Sequence, residues 1–466
     1  MNKLSYISNK YKENDIEGED FGAELYNILN LPQKNLYGAR KAEIIALLFG
    51  AITNTQVRRL KWPYVDMDPE TINRTLSREV RMGNMVQTIL KKEDNGARRI
   101  YGLTRQGHER ICKTIGITEN SYPLRNSIRF HEYALGLFFQ TLISHGYKIN
   151  FQLEQLISQY ELKSTNTLNK KFSVRADGIL YVYNKKYYIE QDMGTETIGK
   201  LVGKIKYYND SSKTIIFSFY KAVQKLKINY QDVLFLDEKY KTSEKMKKAL
   251  NDENLSNEHK KILDIYLSRN ENKSLADAVA VKINAYSDIL RLEKQYNFKT
   301  MRLWGMFNYI LGQSFEKELC LKGMHLYCVT PELAYASNAF RRFGTKGKSC
   351  KIFKRLYGKN IVYERFKKAH GACFDECIHI ENGNVYIEYV EDDVAGLVRA
   401  YLTYKSIMDS NDKLLIHCNS DSFAEKVAQL FCEKINYLGH NIIFILEGEN
   451  EYYEVKFGTL IPVAQY

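Results

Sequence analysis

VRADGILYVYNKKYYIEQD, residues 174–192, is the stretch from which the fold can be read. It reads as two strands meeting at a turn around Asn184, with Asp177 at the start of the first and Glu190 and Asp192 on the second. Side chains alternate along a strand, so Glu190 and Asp192 share a face. TETIGKLVGKIKYY (195–208) follows with helical spacing and brings Lys200, Lys204 and Lys206 near; TIIFSF (214–219) is a short apolar strand. Three carboxylates converging at one end of a sheet would offer a hard cation, Mg2+ or Mn2+, a few oxygen ligands, with water and phosphate completing its shell. A lysine beside them would stabilise charge developing on a phosphate. The expected metal ligands are therefore Asp177, Glu190 and Asp192, and Lys204 joins them in the expected catalytic set.

This arrangement resembles the restriction-endonuclease-like core, whose pattern is an Asp followed by Asp/Glu-x-Lys. Asp192 stands where that pattern has its lysine. The lysine is then supplied by the helix, as Lys204, or is missing. The alternative is a retained fold with a solvated acidic edge and no catalysis.

Upstream, residues 37–116 show helical periodicity and then a hairpin signal. KAEIIALLFGAI (41–52) is an amphipathic helix, and Thr53 or Asn54 can cap the next one. Asp68 and Pro69 start a third. On that third helix Arg74, Ser77, Arg78 and Arg81 fall at i, i+3, i+4 and i+7, while Ile72, Leu76 and Val80 fall on another face. A cationic face opposite an apolar one is what a recognition helix in the major groove requires. Asn95-Gly96 between two strand-like runs marks a hairpin, and Lys91, Lys92, Arg98 and Arg99 beside it are placed to meet phosphates. Residues 37–130 hold 17 Lys+Arg against 9 Asp+Glu, a net of +8 out of +13 for the whole chain. The expected element is a winged helix on double-stranded DNA; the competing reading is a winged helix used for protein contacts.

YGLTRQGHERI (101–111), IRFHEYALGLFFQTL (128–142) and the 175–208 stretch with Glu190-x-Asp192-x-Gly194-Thr195-Glu196 together resemble the replication–relaxation family of plasmids and conjugative elements, over roughly 40–220. The resemblance implies a winged helix followed by an endonuclease-like domain, and work at an origin of transfer or replication. None of the nine histidines lies two residues from another, unlike the histidine cluster of common relaxases. The 35 tyrosines single out no nucleophile, and His131 sits in the helix before the sheet.

The C-terminal third repeats the pattern. Asp375 precedes Glu388 by the 13 residues that separate Asp177 from Glu190, each pair leading into a helix and then a short apolar strand, KLLIHC (413–418) in the second case. KINYQDVLFL (227–236) and KINYLGHNIIFIL (434–446) also echo each other. The expectation is a degenerate internal duplication in which Val390 replaces Asp192. Residues 341–368 hold 11 Lys+Arg and one acidic residue, Glu364. Arg341, Arg342, Lys346, Lys348, Lys351, Lys354 and Arg355 are thus expected as a second phosphate-backbone contact. Arg342 stands where a P-loop has its first glycine, so no nucleotide cofactor is expected. His370, Cys373, Cys377 and His379 are too irregularly spaced for zinc and read as buried sheet residues.

With 466 residues the chain exceeds one core, and its charge of +13 suits a polyanion. Apolar runs are too short to span a bilayer, the opening lacks a signal-peptide core, and eight scattered cysteines suit a reducing cytoplasm. The expected organisation is α/β: an arm (1–36), a winged helix-turn-helix (37–119), a restriction-endonuclease-like αβββαβ core (120–235), a helical connector (236–300) and a second, degenerate endonuclease-like module (301–466). The expected function is metal-dependent nicking or relaxosome assembly at a specific origin-like site on double-stranded DNA, with a relaxase, a coupling protein or a second copy as partner and no membrane. The alternatives are a catalytically inactive accessory or replication protein, and a transcriptional regulator.

Overall fold

A computed structural model of the chain describes residues 38–60, 69–90, 98–119, 124, 130–145, 147, 149–153, 176–182, 185–205, 208, 214–221, 230–267, 283–313, 324–340, 362–365, 368–369, 372–373, 376–380, 383–407, 411–418, 420–435, 442–446, 452–456 and 459–462. The chain is mixed α/β, built from helices and several sheets. The arm, the turns at Asn95-Gly96 and Asn184, and residues 341–361 lie outside the described residues.

Three helices open it: α1 Gly38–Phe49, α2 Asn54–Leu60 and α3 Pro69–Arg81. Thr53 caps α2 reciprocally. Its Oγ1 accepts the Gln56 N–H at 3.2 Å, and its own N–H donates to Gln56 Oε1 at 2.7 Å, so two orphan donors are satisfied at once. The two-stranded hairpin β1 Met85–Leu90 and β2 Arg98–Leu103 follows, then α4 Arg105–Ile115. Ile52 adds a single antiparallel bridge to Tyr101. Thr104 caps α4 through the Gly107 N–H at 3.0 Å. Gly107 has to be glycine, because a Cβ there would stand 1.9 Å from the Asn84 carbonyl oxygen.

The first sheet has the order β3-β4-β5-β6-β7, with β3 Ile149–Leu153, β4 Gly178–Val182, β5 Lys185–Asp192, β6 Thr214–Phe219 and β7 His325–Val329. β3, β4 and β5 are antiparallel neighbours; β5, β6 and β7 run parallel. The crossover from β5 to β6 carries α6, Ile198–Ile205. Parallel strands covered on both faces read as continuous apolar runs, which explains TIIFSF, buried throughout. Ile216 faces a core shared with α1, α3 and α5 (Phe130–Ser144); Ile215, Phe217 and Phe219 face a second core, shared with α6 and α10 (Ile283–Gly312).

The second sheet has the order β16-β15-β14-β13-β12-β11-β8. Its members are β8 Val362–Arg365, β11 Glu376–Ile380, β12 Gly383–Tyr389, β13 Lys413–Cys418, β14 Ile442–Leu446, β15 Tyr452–Lys456 and β16 Thr459–Pro462; β9 Lys368–Ala369 and β10 Ala372–Cys373 form a separate short ribbon. Helices α11 Val394–Ile407 and α12 Asp421–Ile435 cross between its parallel strands. Strands β8, β11, β12, β13 and β14 repeat the order and directions of β3 to β7. The hairpins also share a register: Gly178 pairs with Ile189 and Val182 with Lys185, just as Glu376 pairs with Ile387 and Ile380 with Gly383.

The second echo in the sequence does not survive. Tyr230–Lys239 is a helix, α7, whereas Ile442–Leu446 is strand β14. Val233 and Leu236 are buried while Leu234 and Phe235 are exposed, which is helical spacing; the run in β14 has no polar face and fits a parallel strand. Helix α7, α8 Ser243–Leu250 and α9 Asn257–Leu267 share a small core of their own around Val233, Leu236, Met246 and Leu263. No helix among the described residues is long and apolar enough to cross a membrane.

The two sheets meet through Asp393, fully buried at the start of α11. Its Oδ1 accepts the Leu326 N–H at 2.9 Å and the Ala395 N–H at 3.0 Å; its Oδ2 lies 2.8 Å from His325 Nδ1 and 3.4 Å from Arg399 Nη2. Burial alone would raise its pKa. The bond from His325, the charges of His325 and Arg399 and the backbone donors outweigh burial and hold it at about 2, below the usual 3.8. A carboxyl with a depressed folded pKa stabilises the fold above its unfolded pKa and loses that contribution as pH falls through the folded one. Denaturant melts should therefore show about 2 kcal/mol lost through this group between pH 4 and pH 2. Asp393→Ala should cost about 3–5 kcal/mol at neutral pH, because it leaves Arg399 buried without one of its partners.

Candidate functional site

Glu190 lies near the end of β5 and is buried. α6 brings Lys204 over it, Nζ to Oε2 at 3.0 Å, and the other carboxylate oxygen accepts a hydrogen bond from the buried Tyr208 hydroxyl. Tyr208 follows Lys204 by four residues. Lys204 also reaches Glu196 at 3.0 Å, and Glu196 reaches Lys200 at 3.3 Å. Asp177 directly precedes Gly178, the partner of Ile189, so the antiparallel register sets it opposite Glu190. Its Oδ2 accepts the Gln191 N–H at 2.7 Å and lies 3.3 Å from His131 Nε2 on α5. The sequence-predicted catalytic residues Asp177, Glu190 and Lys204 thus share one end of the sheet, with His131 beside them.

Asp192 shares the face of Glu190 but has another partner. Arg302 of α10 forms an ion pair with its Oδ2, with Nε at 3.1 Å and Nη2 closer still. Oδ1 accepts the Gly194 N–H at 3.0 Å. Gly194 has φ +81°, in the left-handed region, and a Cβ there would meet the Phe298 ring at 2.8 Å. Among the described residues no three His, Cys, Asp or Glu side chains form a group able to hold a metal ion. An ion of the Mg2+ type takes one or two carboxylates and keeps its waters, and Asp177 and Glu190 are the residues that could hold one.

The pair is also poised electrostatically. Burial raises the Glu190 carboxyl to about 7, and the Asp177 charge adds to that rise; Lys204 and the Tyr208 hydrogen bond oppose it. The carboxylate lifts the Lys204 ammonium above its ordinary value, against burial, which lowers it.

A second candidate surface lies on α3. Ile72 and Leu76 are fully buried, while the Arg74 side chain is 71% and that of Arg78 54% exposed. Arg81 is also exposed, Ser77 half-buried, and Arg99 on β2 exposed. Buried Glu79 accepts from Asn84 at 2.8 Å and lies 3.5 Å from both Arg78 and Arg110, while Arg74 pairs with Glu70 at 2.9 Å. Lys91 and Lys92 lie outside the described residues, as do Lys206, Arg341, Arg342, Lys346, Lys348, Lys351, Lys354 and Arg355. Of Arg98, Cys373, Cys377 and His379 the backbone alone is described.

Residues 49–223 match the replication-relaxation family. The match points to a role in replication or relaxation of a plasmid or other mobile element. No curated protein and no solved structure matches the chain. The replication-relaxation segment contains α3, the hairpin, β3 to β6 and every residue of the Glu190 cluster. It ends before α10 and β7. Sequence reasoning missed Tyr208, although its place one turn after Lys204 was a readable signal; nothing in the sequence pointed to Arg302.

The raised Glu190 carboxyl gives a titration test. Asp177→Asn should move the Glu190 transition downward from about 7, read by NMR of carbon-labelled glutamate. Because this folded pKa lies above the unfolded one, Glu190 should also cost stability progressively as pH rises from about 4.5 to 7.

Proposed function

We propose that this chain is a DNA-binding protein that recognises an origin-like site on a plasmid or conjugative element and nicks one strand there. The observation that carries the reading is the arginine row of α3, open to solvent above a buried apolar face, in the segment that also holds the Glu190 cluster. In this reading α2 and α3 form a helix-turn-helix, β1 and β2 the wing, and β3 to β7 an endonuclease-like core of which the second sheet is a degenerate copy. Arg74, Arg78 and Arg81 enter the major groove, and Arg99 meets the backbone.

At the cluster, Asp177 and Glu190 would hold Mg2+ or Mn2+. Such an ion supplies Lewis acidity at the phosphate and lowers the pKa of a water. Lys204, positively charged at any working pH, stands against the negative charge that grows on the phosphate oxygens. Tyr208 fixes the Glu190 carboxylate, and Asp177 is anchored to the Gln191 backbone. A second reading, an accessory protein that binds without cutting, is favoured by one observation: Asp192 is already neutralised by Arg302, and Glu190 by Lys204.

A supercoiled plasmid carrying the element's origin separates the two. Wild type should yield open circles with Mg2+ or Mn2+, and Glu190→Gln should bind without cutting; binding by both with cutting by neither leaves the accessory reading. Arg78→Ala should weaken duplex binding by about tenfold and reduce the salt dependence by about one counterion, as measured by anisotropy across a salt series.

A further inference from the structure

We propose that Arg302, outside the replication-relaxation segment, is the positioning residue that sets Lys204 against Glu190. The inference rests on reading Glu190 and Lys204 as the working pair.

The guanidinium is buried at the end of the first sheet, 5.7 Å from the Phe219 ring centre and 5.6 Å from that of Phe298. It binds at two points: the Asp192 carboxylate, and the Glu196 carbonyl oxygen at 2.7 Å. Asp192 ends β5, and Glu196 lies within the turn that leads into α6. Asp192 in turn accepts the Gly194 N–H from within that turn. The planar fork of an arginine can serve an acid and a carbonyl together, which a lysine cannot match. The turn therefore has one conformation, and the direction in which α6 leaves β5 is fixed with it. Lys204 hangs from that helix, and the Glu196 side chain steadies its ammonium from the turn itself.

The same helix supplies an internal control one turn earlier. Lys299 pairs with Asp392 at 2.9 Å, close to Asp393 at the junction of the sheets. Lys299 is buried, as Arg302 is, and carries the same charge, but the carboxylate it holds is Asp392, just past β12, rather than Asp192. Losing it should loosen the fold without redirecting Lys204.

The test uses the full chain and reductive methylation with formaldehyde and borane, read by mass spectrometry at each lysine. The Lys204 side chain is 23% exposed; Lys200, 68% exposed, serves as reference. Arg302→Gln should raise Lys204 labelling several-fold relative to Lys200, with Lys299→Met at the wild-type ratio. Arg302→Lys, which retains the charge and guards against a misfolded glutamine variant, should fall between. An unchanged ratio in the folded Arg302 variants overturns the proposal. So does an equal rise in the Lys299 and Arg302 variants that follows their melting temperatures. Where wild type nicks, Arg302→Gln should lower kcat and leave the duplex Kd unchanged. A wild type that does not nick removes the endonuclease reading, and the labelling ratio still decides the role of Arg302.

Discussion

A carboxylate taken out of water must be met by a cation or by several donors, or it will not stay charged. Asp192, Glu190, Glu388, Asp392 and Asp393 are all buried at or just past the ends of β5 and β12, one strand from each sheet. Each is answered by a cation from a helix: Lys204 on α6, Lys299 and Arg302 on α10, Arg399 on α11. The apolar faces of those helices fill the core, but an apolar face tolerates sliding. The ion pairs do not. They fix where along the sheet each helix sits, and the candidate site is one product of that registration.

The two sheets meet the same demand in different ways. Glu190 faces a lysine whose side chain is partly open to solvent. Glu388, at the matching position of β12, receives both nitrogens of a fully buried arginine, Nε at 2.8 Å and Nη2 at 3.1 Å, and Arg399 Nη1 is closed off by the Met324 carbonyl at 2.8 Å. The lysine side chain is 23% exposed, whereas the bidentate arginine has no exposure at all. Matching backbones thus carry one accessible charge pair and one sealed one.

Local structure was legible in the sequence where the signal was local. The two strands read within 174–192, the limits of TIIFSF and KLLIHC, a cap for α2 at one of the two residues offered, Thr53, and the split faces of α3 all follow from periodicity and capping chemistry within a few residues. The 13-residue spacing of two acidic pairs foretold the common hairpin register. Long-range pairing was not legible. Asp192 reads as a metal ligand because a carboxylate two residues from Glu190 shares its face. Its partner lies 110 residues away on a helix whose sequence gives no hint of it. The repeated KINY motif misled for the opposite reason: four identical residues say nothing about period, and the apolar spacing after them differs.

The fifth strand of the first sheet has a consequence for the order in which the protein can be made. β6 ends at Phe219 and β7 begins at His325, so roughly a hundred residues leave the ribosome between two strands that are neighbours in the sheet. At about 5–20 residues per second that interval lasts about 5–20 s. Throughout it, β6 presents an unpaired edge, and the face of TIIFSF that carries Ile215, Phe217 and Phe219 still lacks α10. A nascent chain in this state is most exposed to pairing with its own copies on neighbouring ribosomes, and a fragment ending near residue 223 would remain in it permanently.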